Sequence, residues 1–250
     1  MMVRLLALLL ATPLLAAQPL TIEDYATMPS VSDPRLSPDG SQIAFVVTRA
    51  DMDESRYQSD VWLAAADGSG AFSLAHGESN DTQPRWSPDG SRIAFRSSRG
   101  GSTQIWIIAP DGGEAVPLTD HETTVGDFAW SPDGTKIAFV ASDPEPDALA
   151  RLRRERDDAR VVLRGEDDEH LWVIDVEERT ERRVTSGDLT VAEFSWSPDG
   201  ERFVLALAPG PEPGESYNTD IYTVPLAGGE PELLLGRTGT DDEPQYSPDG

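Results

Sequence analysis

The sequence has no cysteine among its 250 residues, which excludes disulfides, thiolate chemistry and lipoprotein anchoring. Lysine is nearly absent: Lys136 stands alone, and 20 basic residues face 45 acidic ones for a formal charge of −25. Such a surface repels phosphate backbones and anionic headgroups, so no nucleic-acid partner and no electrostatic membrane association are expected. No apolar run reaches the roughly 20 residues of a membrane-spanning helix. The uncharged run from Leu5 to Leu15 follows Arg4, contains Pro13 and ends at Ala16-Ala17, the layout of an export signal. Residues 1–17 are therefore expected to be a signal peptide, and the mature chain to be periplasmic or secreted without a membrane span. The remaining composition, 38% hydrophobic and 26% charged, is that of a folded domain.

What is present is a repeat. Ser-Pro-Asp-Gly begins at Ser37, Ser87, Ser131, Ser197 and Ser247, with spacings of 50, 44, 66 and 50 residues. A large apolar residue precedes each copy: Leu36, Trp86, Trp130, Trp196 and Tyr246. After four of the turns comes an apolar strand, read at Ile43–Val46, Ile93–Phe95, Ile137–Val140 and Phe203–Leu205. A further strand recurs at Asp60–Leu63, Gln104–Ile107, His170–Val173 and Asp220–Thr223. All six tryptophans fall on these two repeat positions.

Each unit has the chemistry of a four-stranded antiparallel sheet. Proline presets φ for the second turn position, aspartate bonds nearby amides, and glycine supplies the positive φ that closes the hairpin. Ser-Pro-Asp-Gly thus joins strand one to strand two. Asp67-Gly68, Asp111-Gly112-Gly113 and Gly228-Gly229 join strand three to a short fourth strand such as Val116–Thr119. The middle strands are apolar on both faces, as stacked neighbouring sheets require. A period of roughly 40 to 50 residues with four strands and a tryptophan signature is the β-propeller pattern. The fold class is all-β, an incomplete propeller of four blades plus the start of a fifth. Its organisation is a signal at 1–17, a lead-in at 18–36 and the partial propeller at 37–250.

Two features depart from the period. The 66-residue repeat carries an insertion at about 147–168, between its second and third strands, where Ala148 to Arg154 has the pattern of an amphipathic helix. It reads as a solvated surface helix, or alternatively as a basic loop touching an acidic substrate or partner domain. The fifth turn ends at Gly250, so the strand it should deliver is expected beyond this sequence.

The stretch Pro19-Leu20-Thr21-Ile22-Glu23-Asp24-Tyr25, then Val31-Ser32-Asp33-Pro34-Arg35-Leu36-Ser37-Pro38-Asp39-Gly40, then Arg56-Tyr57-Gln58-Ser59-Asp60-Val61-Trp62 resembles the opening of exported prolyl oligopeptidase family (S9) serine peptidases. The acylaminoacyl-peptidase and dipeptidyl-peptidase-like branch is nearest. The resemblance extends over the mature chain, including a charged insertion before a His-Leu-Trp strand. It implies a propeller that restricts a serine peptidase to short peptides, followed by an α/β-hydrolase domain in cis. The repeat itself is shared with TolB-like propellers, so a non-enzymatic periplasmic scaffold binding envelope proteins is the alternative. Only Gln18 to Leu36 separate the signal from the first turn, less than the α/β domain that precedes a TolB propeller.

The family's catalytic residues have no counterpart here. A nucleophile elbow needs Gly-x-Ser-x-Gly, which the sequence lacks, and His76, His121 and His170 stand in no triad context. No catalytic residue is assigned, the chain alone is expected to be inactive, and the triad is expected beyond Gly250. No cofactor or metal site is expected either: Asp51-Met52-Asp53-Glu54 and Glu166-Asp167-Asp168-Glu169 lack the alternating spacing of a calcium loop. Peptide contact, if made by this chain, should fall on the innermost strands that lead into each turn. The polar candidates are Gln83, Arg85, Asp127 and Glu193, which equally suit solvated positions on a blade face.

Overall fold

The computed structural model describes residues 21, 24, 27–52, 54–75, 77–144, 168–187, 189–209 and 218–250. The expected signal peptide, His76 and the body of the insertion lie outside them. Among the described residues sixteen strands form four sheets. Blade 1 holds β1 (Ser30–Leu36), β2 (Gln42–Asp51), β3 (Arg56–Ala65) and β4 (Phe72–Ala75). Blade 2 holds β5 (Asp81–Trp86), β6 (Ile93–Ser97), β7 (Gln104–Ile108) and β8 (Val116–Pro117). Blade 3 holds β9 (Val125–Trp130), β10 (Lys136–Ser142), β11 (Glu169–Asp175) and β12 (Glu181–Arg183). Blade 4 holds β13 (Thr190–Trp196), β14 (Arg202–Ala208), β15 (Asp220–Pro225) and β16 (Glu232–Leu235). Every blade is an antiparallel meander in chain order.

The repeated turn is built the same way four times. The serine hydroxyl donates to the aspartate Oδ1 at 2.6 Å in Ser37–Asp39, Ser87–Asp89, Ser131–Asp133 and Ser197–Asp199. The same hydroxyl accepts the amide of the residue five places on, Gln42, Arg92, Lys136 or Arg202. The aspartate then accepts the amide two residues on, as from Ser41 and Ser91 at 3.0 Å. Gly40, Gly90, Gly134 and Gly200 close the turns at φ of 70, 72, 72 and 71°, where a side chain is strained. The fifth turn closes alike, with the Gly250 amide 2.9 Å from the Ser247 carbonyl.

These bonds favour the aspartate anion. The serine hydroxyl first, and the amide second, lower Asp39 and Asp89 from 3.8 to about 2. A folded value below the unfolded one means that the stabilisation is complete above about 3.8 and is lost as pH falls through about 2. The thermal midpoint is expected to fall over that window, and Asp89→Asn to flatten part of the fall, as read by melting curves at successive pH values.

Packing between blades forms the core. β10 shows the principle, since side chains alternate across a strand: Ile137, Phe139 and Ala141 pack toward blade 2, while Ala138 and Val140 pack toward blade 4. Both faces being buried explains its unbroken apolar sequence. Between blades 1 and 2, Val61 and Leu63 meet Ile93 and Phe95. Two polar devices repeat at these seams. Each tryptophan before a turn donates its indole N–H to a carbonyl of the preceding blade: Trp86 to Arg35 at 3.0 Å, Trp130 to Arg85 at 3.1 Å and Trp196 to Ala129 at 3.2 Å. Gly90, Gly134 and Gly200 also face the proline of the preceding turn, a Cβ on Gly134 falling 3.3 Å from Pro88 Cδ. A Cβ on Gly40 would meet nothing within 4 Å. Gly134→Ala is therefore expected to destabilise more than Gly40→Ala, with the shared backbone strain costing about 1–2 kcal/mol in both, as measured by urea unfolding.

In blade 3, β10 ends at Ser142 and β11 begins at Glu169. The fourth strand read at Val116–Thr119 is shorter in the structure, because Leu118 and Thr119 both direct their amides to the Ile105 carbonyl instead of continuing the ladder. No helix among the described residues is long and apolar enough to cross a membrane.

Candidate functional site

The first strand of every blade lies at one edge of its sheet. β5 neighbours both β1 and β9, and β9 neighbours β13, so these edge strands stand side by side and present a common face. Gln83 and Arg85 lie on β5, Asp127 on β9 and Glu193 on β13, and all four line one cleft of about 630 Å³ together with Arg35 and Glu243. An adjoining hollow of about 420 Å³ adds Asp33 and Arg96.

A local irregularity aims these side chains. Each inner strand carries one extra residue against its partner, between Ser32 and Arg35, Thr82 and Arg85, Val125 and Phe128, and Val191 and Glu193. Such β-bulges redirect side chains at sheet edges. The residue four places before the turn serine is Asp33, Gln83, Asp127, Glu193 or Glu243, so one repeat position supplies a polar group from every unit. Asp33, Gln83 and Glu243 have φ of 47, 55 and 50°. These are the three followed by proline, at Pro34, Pro84 and Pro244, although a following proline by itself favours extended backbone at negative φ.

The groups are connected. Arg85 donates to Asp33 Oδ2 at 2.7 Å, and Arg35 lies 2.8 Å from Asp33 Oδ1. Gln83 Nε2 donates to Asp127 Oδ1 at 3.2 Å, and the Glu243 amide donates to Glu193 Oε2 at 2.5 Å. Close by, desolvation first and the Asp127 carboxylate second raise Glu169 above the ordinary carboxylate range, against the pull of Arg96.

The two described histidines, His121 and His170, are committed elsewhere. His121 places Nδ1 2.9 Å from Glu181 Oε2 and packs edge-on against Phe139 and Trp172. His170 is buried and takes an Arg183 N–H on Nε2 at 2.9 Å, while Arg183 also pairs with Asp143. Desolvation, then the Arg183 charge, lowers the His170 pKa, against the pull of Asp143 and Asp168. Of the two acidic runs weighed as cation ligands, only Asp51, Met52, Glu54, Asp168 and Glu169 are described. Asp168 is buried and accepts the Thr190 hydroxyl at 2.9 Å. Among the described residues no group of three or more His, Asp or Glu is placed to hold a metal ion.

Four stacked four-stranded blades whose inner strands share a polar face define a β-propeller arc. PD40, the TolB beta propeller domain, matches residues 22–170, and the chain belongs to that family. It is 31% identical over 259 residues to dipeptidyl-peptidase 5 of Porphyromonas gingivalis, covering 92% of this chain and 38% of that protein. Among solved structures, the Pyrococcus horikoshii acylaminoacyl peptidase superposes with a TM-score of 0.60 at 19% identity, covering 85% of this chain and 33% of that one. The β-propeller domain of the trilobed protease of Pyrococcus furiosus gives 0.57 at 19% identity, covering 85% and 59%. At these identities the structural likenesses concern the fold. The resemblance to the N-terminal propeller of S9 peptidases read from the opening segment stands, and the chain spans well under half the length of the curated peptidases it matches.

Proposed function

We propose that this chain is the N-terminal β-propeller portion of an exported S9-like serine peptidase, and that it gates and orients short peptides for an α/β-hydrolase domain. The observation that carries this reading is the similarity to dipeptidyl-peptidase 5 across 92% of the chain. The cleft at the inner strands supports it, because Gln83, Arg85, Asp127 and Glu193 offer both donors and acceptors to a peptide. The segment from Arg4 to Ala17, with the composition of an export signal, supports a periplasmic or secreted location.

The division of labour is testable on this chain as it stands. Saturation-transfer NMR is expected to show short peptides contacting it, while aminoacyl and acylaminoacyl reporter substrates are left unhydrolysed. Turnover blocked by a serine-directed inhibitor overturns the placement of catalysis outside these residues. Failure of any short peptide to make contact overturns the gating role.

A further inference from the structure

The cleft at the inner strands is electrically uneven. On the side of blades 1 and 2 stand Arg35, Arg85 and Arg96, with Asp33 held between the first two at 2.8 and 2.7 Å. Arg96 is opposed by the Glu169 carboxylate, and the two guanidinium groups of Arg35 and Arg85 against the one carboxylate of Asp33 leave that side positive. On the side of blades 3 and 4 stand Asp127, Glu193 and Glu243, and the other residues lining that side are uncharged. The hydrogen bonds made to Asp127 and Glu193 come from an amide side chain and a backbone N–H, neither of which cancels charge. That side is therefore negative, and Glu169, raised first by its own desolvation, is raised further by the Asp127 carboxylate.

A short peptide with free ends is a dipole of matching form, carrying an ammonium at one end and a carboxylate at the other. We infer that the cleft takes free, zwitterionic short peptides in one direction, the α-ammonium toward Asp127, Glu193 and Glu243 and the α-carboxylate toward Arg35 and Arg85. This rests on the reading that peptides visit the inner-strand face and adds their direction. Opposite charges at each end favour one orientation, and the reversed peptide meets like charge at both ends. Gln83 lies between the two sides, where its donor already engages Asp127 and its acceptor takes Arg96 at 3.4 Å.

The test is calorimetric titration of this chain, at low ionic strength, with tetra-alanine and with its N-acetylated, C-amidated and doubly blocked forms. Alanine side chains carry no charge, so the series isolates the termini. Free tetra-alanine is expected to bind tightest, and each single block to weaken binding roughly fivefold, the size of one exposed charge pair. Glu193→Gln is expected to reduce the penalty for N-acetylation and keep that for amidation, and Arg35→Gln to do the reverse. The wild-type series decides the matter alone if a variant fails to fold. Equal affinity for all four peptides, or the crossed pattern in the variants, overturns the orientation and leaves peptide binding at this face intact. Absence of binding by every form removes the orientation and the gating role together.

Discussion

Phe139→Ala is expected to lower the unfolding free energy by about 3–5 kcal/mol, the usual cost of deleting a buried aromatic side chain. Phe139 is fully buried at the seam between blades 2 and 3, with Ile105, Ile107 and Ile137 in the same cluster. Its ring also takes the edge of His121 at a centroid distance of 5.5 Å. The seam is held from both sides by strands already paired within their own sheets, which limits how far the site can collapse, so most of the vacated volume should persist as a cavity. Phe72→Ala provides the contrast, since Phe72 is 42% exposed and its loss should cost less than about 1 kcal/mol. Urea unfolding of the two variants checks the difference. Equal effects would mean that the seam is not a packed core.

Arg99→Met is expected to destabilise by about 3 kcal/mol, toward the lower end for removing one partner of a buried ion pair. Asp81 is completely buried, and its Oδ2 lies 2.5 Å from Arg99 Nη2. The guanidinium also sits over the rings of Phe95 and Trp106, at 5.6 and 5.4 Å, so the substitution removes a cation–π contribution too. The larger cost is the carboxylate left buried without a counter-charge. Adding Asp81→Asn to Arg99→Met should therefore recover part of the loss. A double variant as unstable as the sum of its two single variants would contradict this account.

Most of the architecture was legible because its determinants are local. The five Ser-Pro-Asp-Gly turns fix the strand order by themselves, and the doubly apolar strands between them imply neighbours on both sides. The seams were not legible. Nothing in the spacing of Trp86, Trp130 and Trp196 says that each indole reaches back to the blade before it, and the turn glycines read as a need for positive φ, without the proline that Gly134 faces across the seam. The site was legible by half. Gln83, Arg85, Asp127 and Glu193 follow from asking which strands are innermost. Asp33 and Glu243 occupy the same repeat position and were reachable by counting back four residues from each turn. Arg96 was not reachable, because it belongs to β6 and joins the cleft through its contact with Gln83.

The central claim is that peptides meet this chain on the face of its inner strands. Backbone amide mapping by NMR during titration with tetra-alanine tests it most directly. Shifts concentrated at Gln83, Asp127, Glu193 and their neighbours on β5, β9 and β13 are the predicted result. Shifts confined to the outer strands β4, β8, β12 and β16, with the inner strands unmoved, would contradict it.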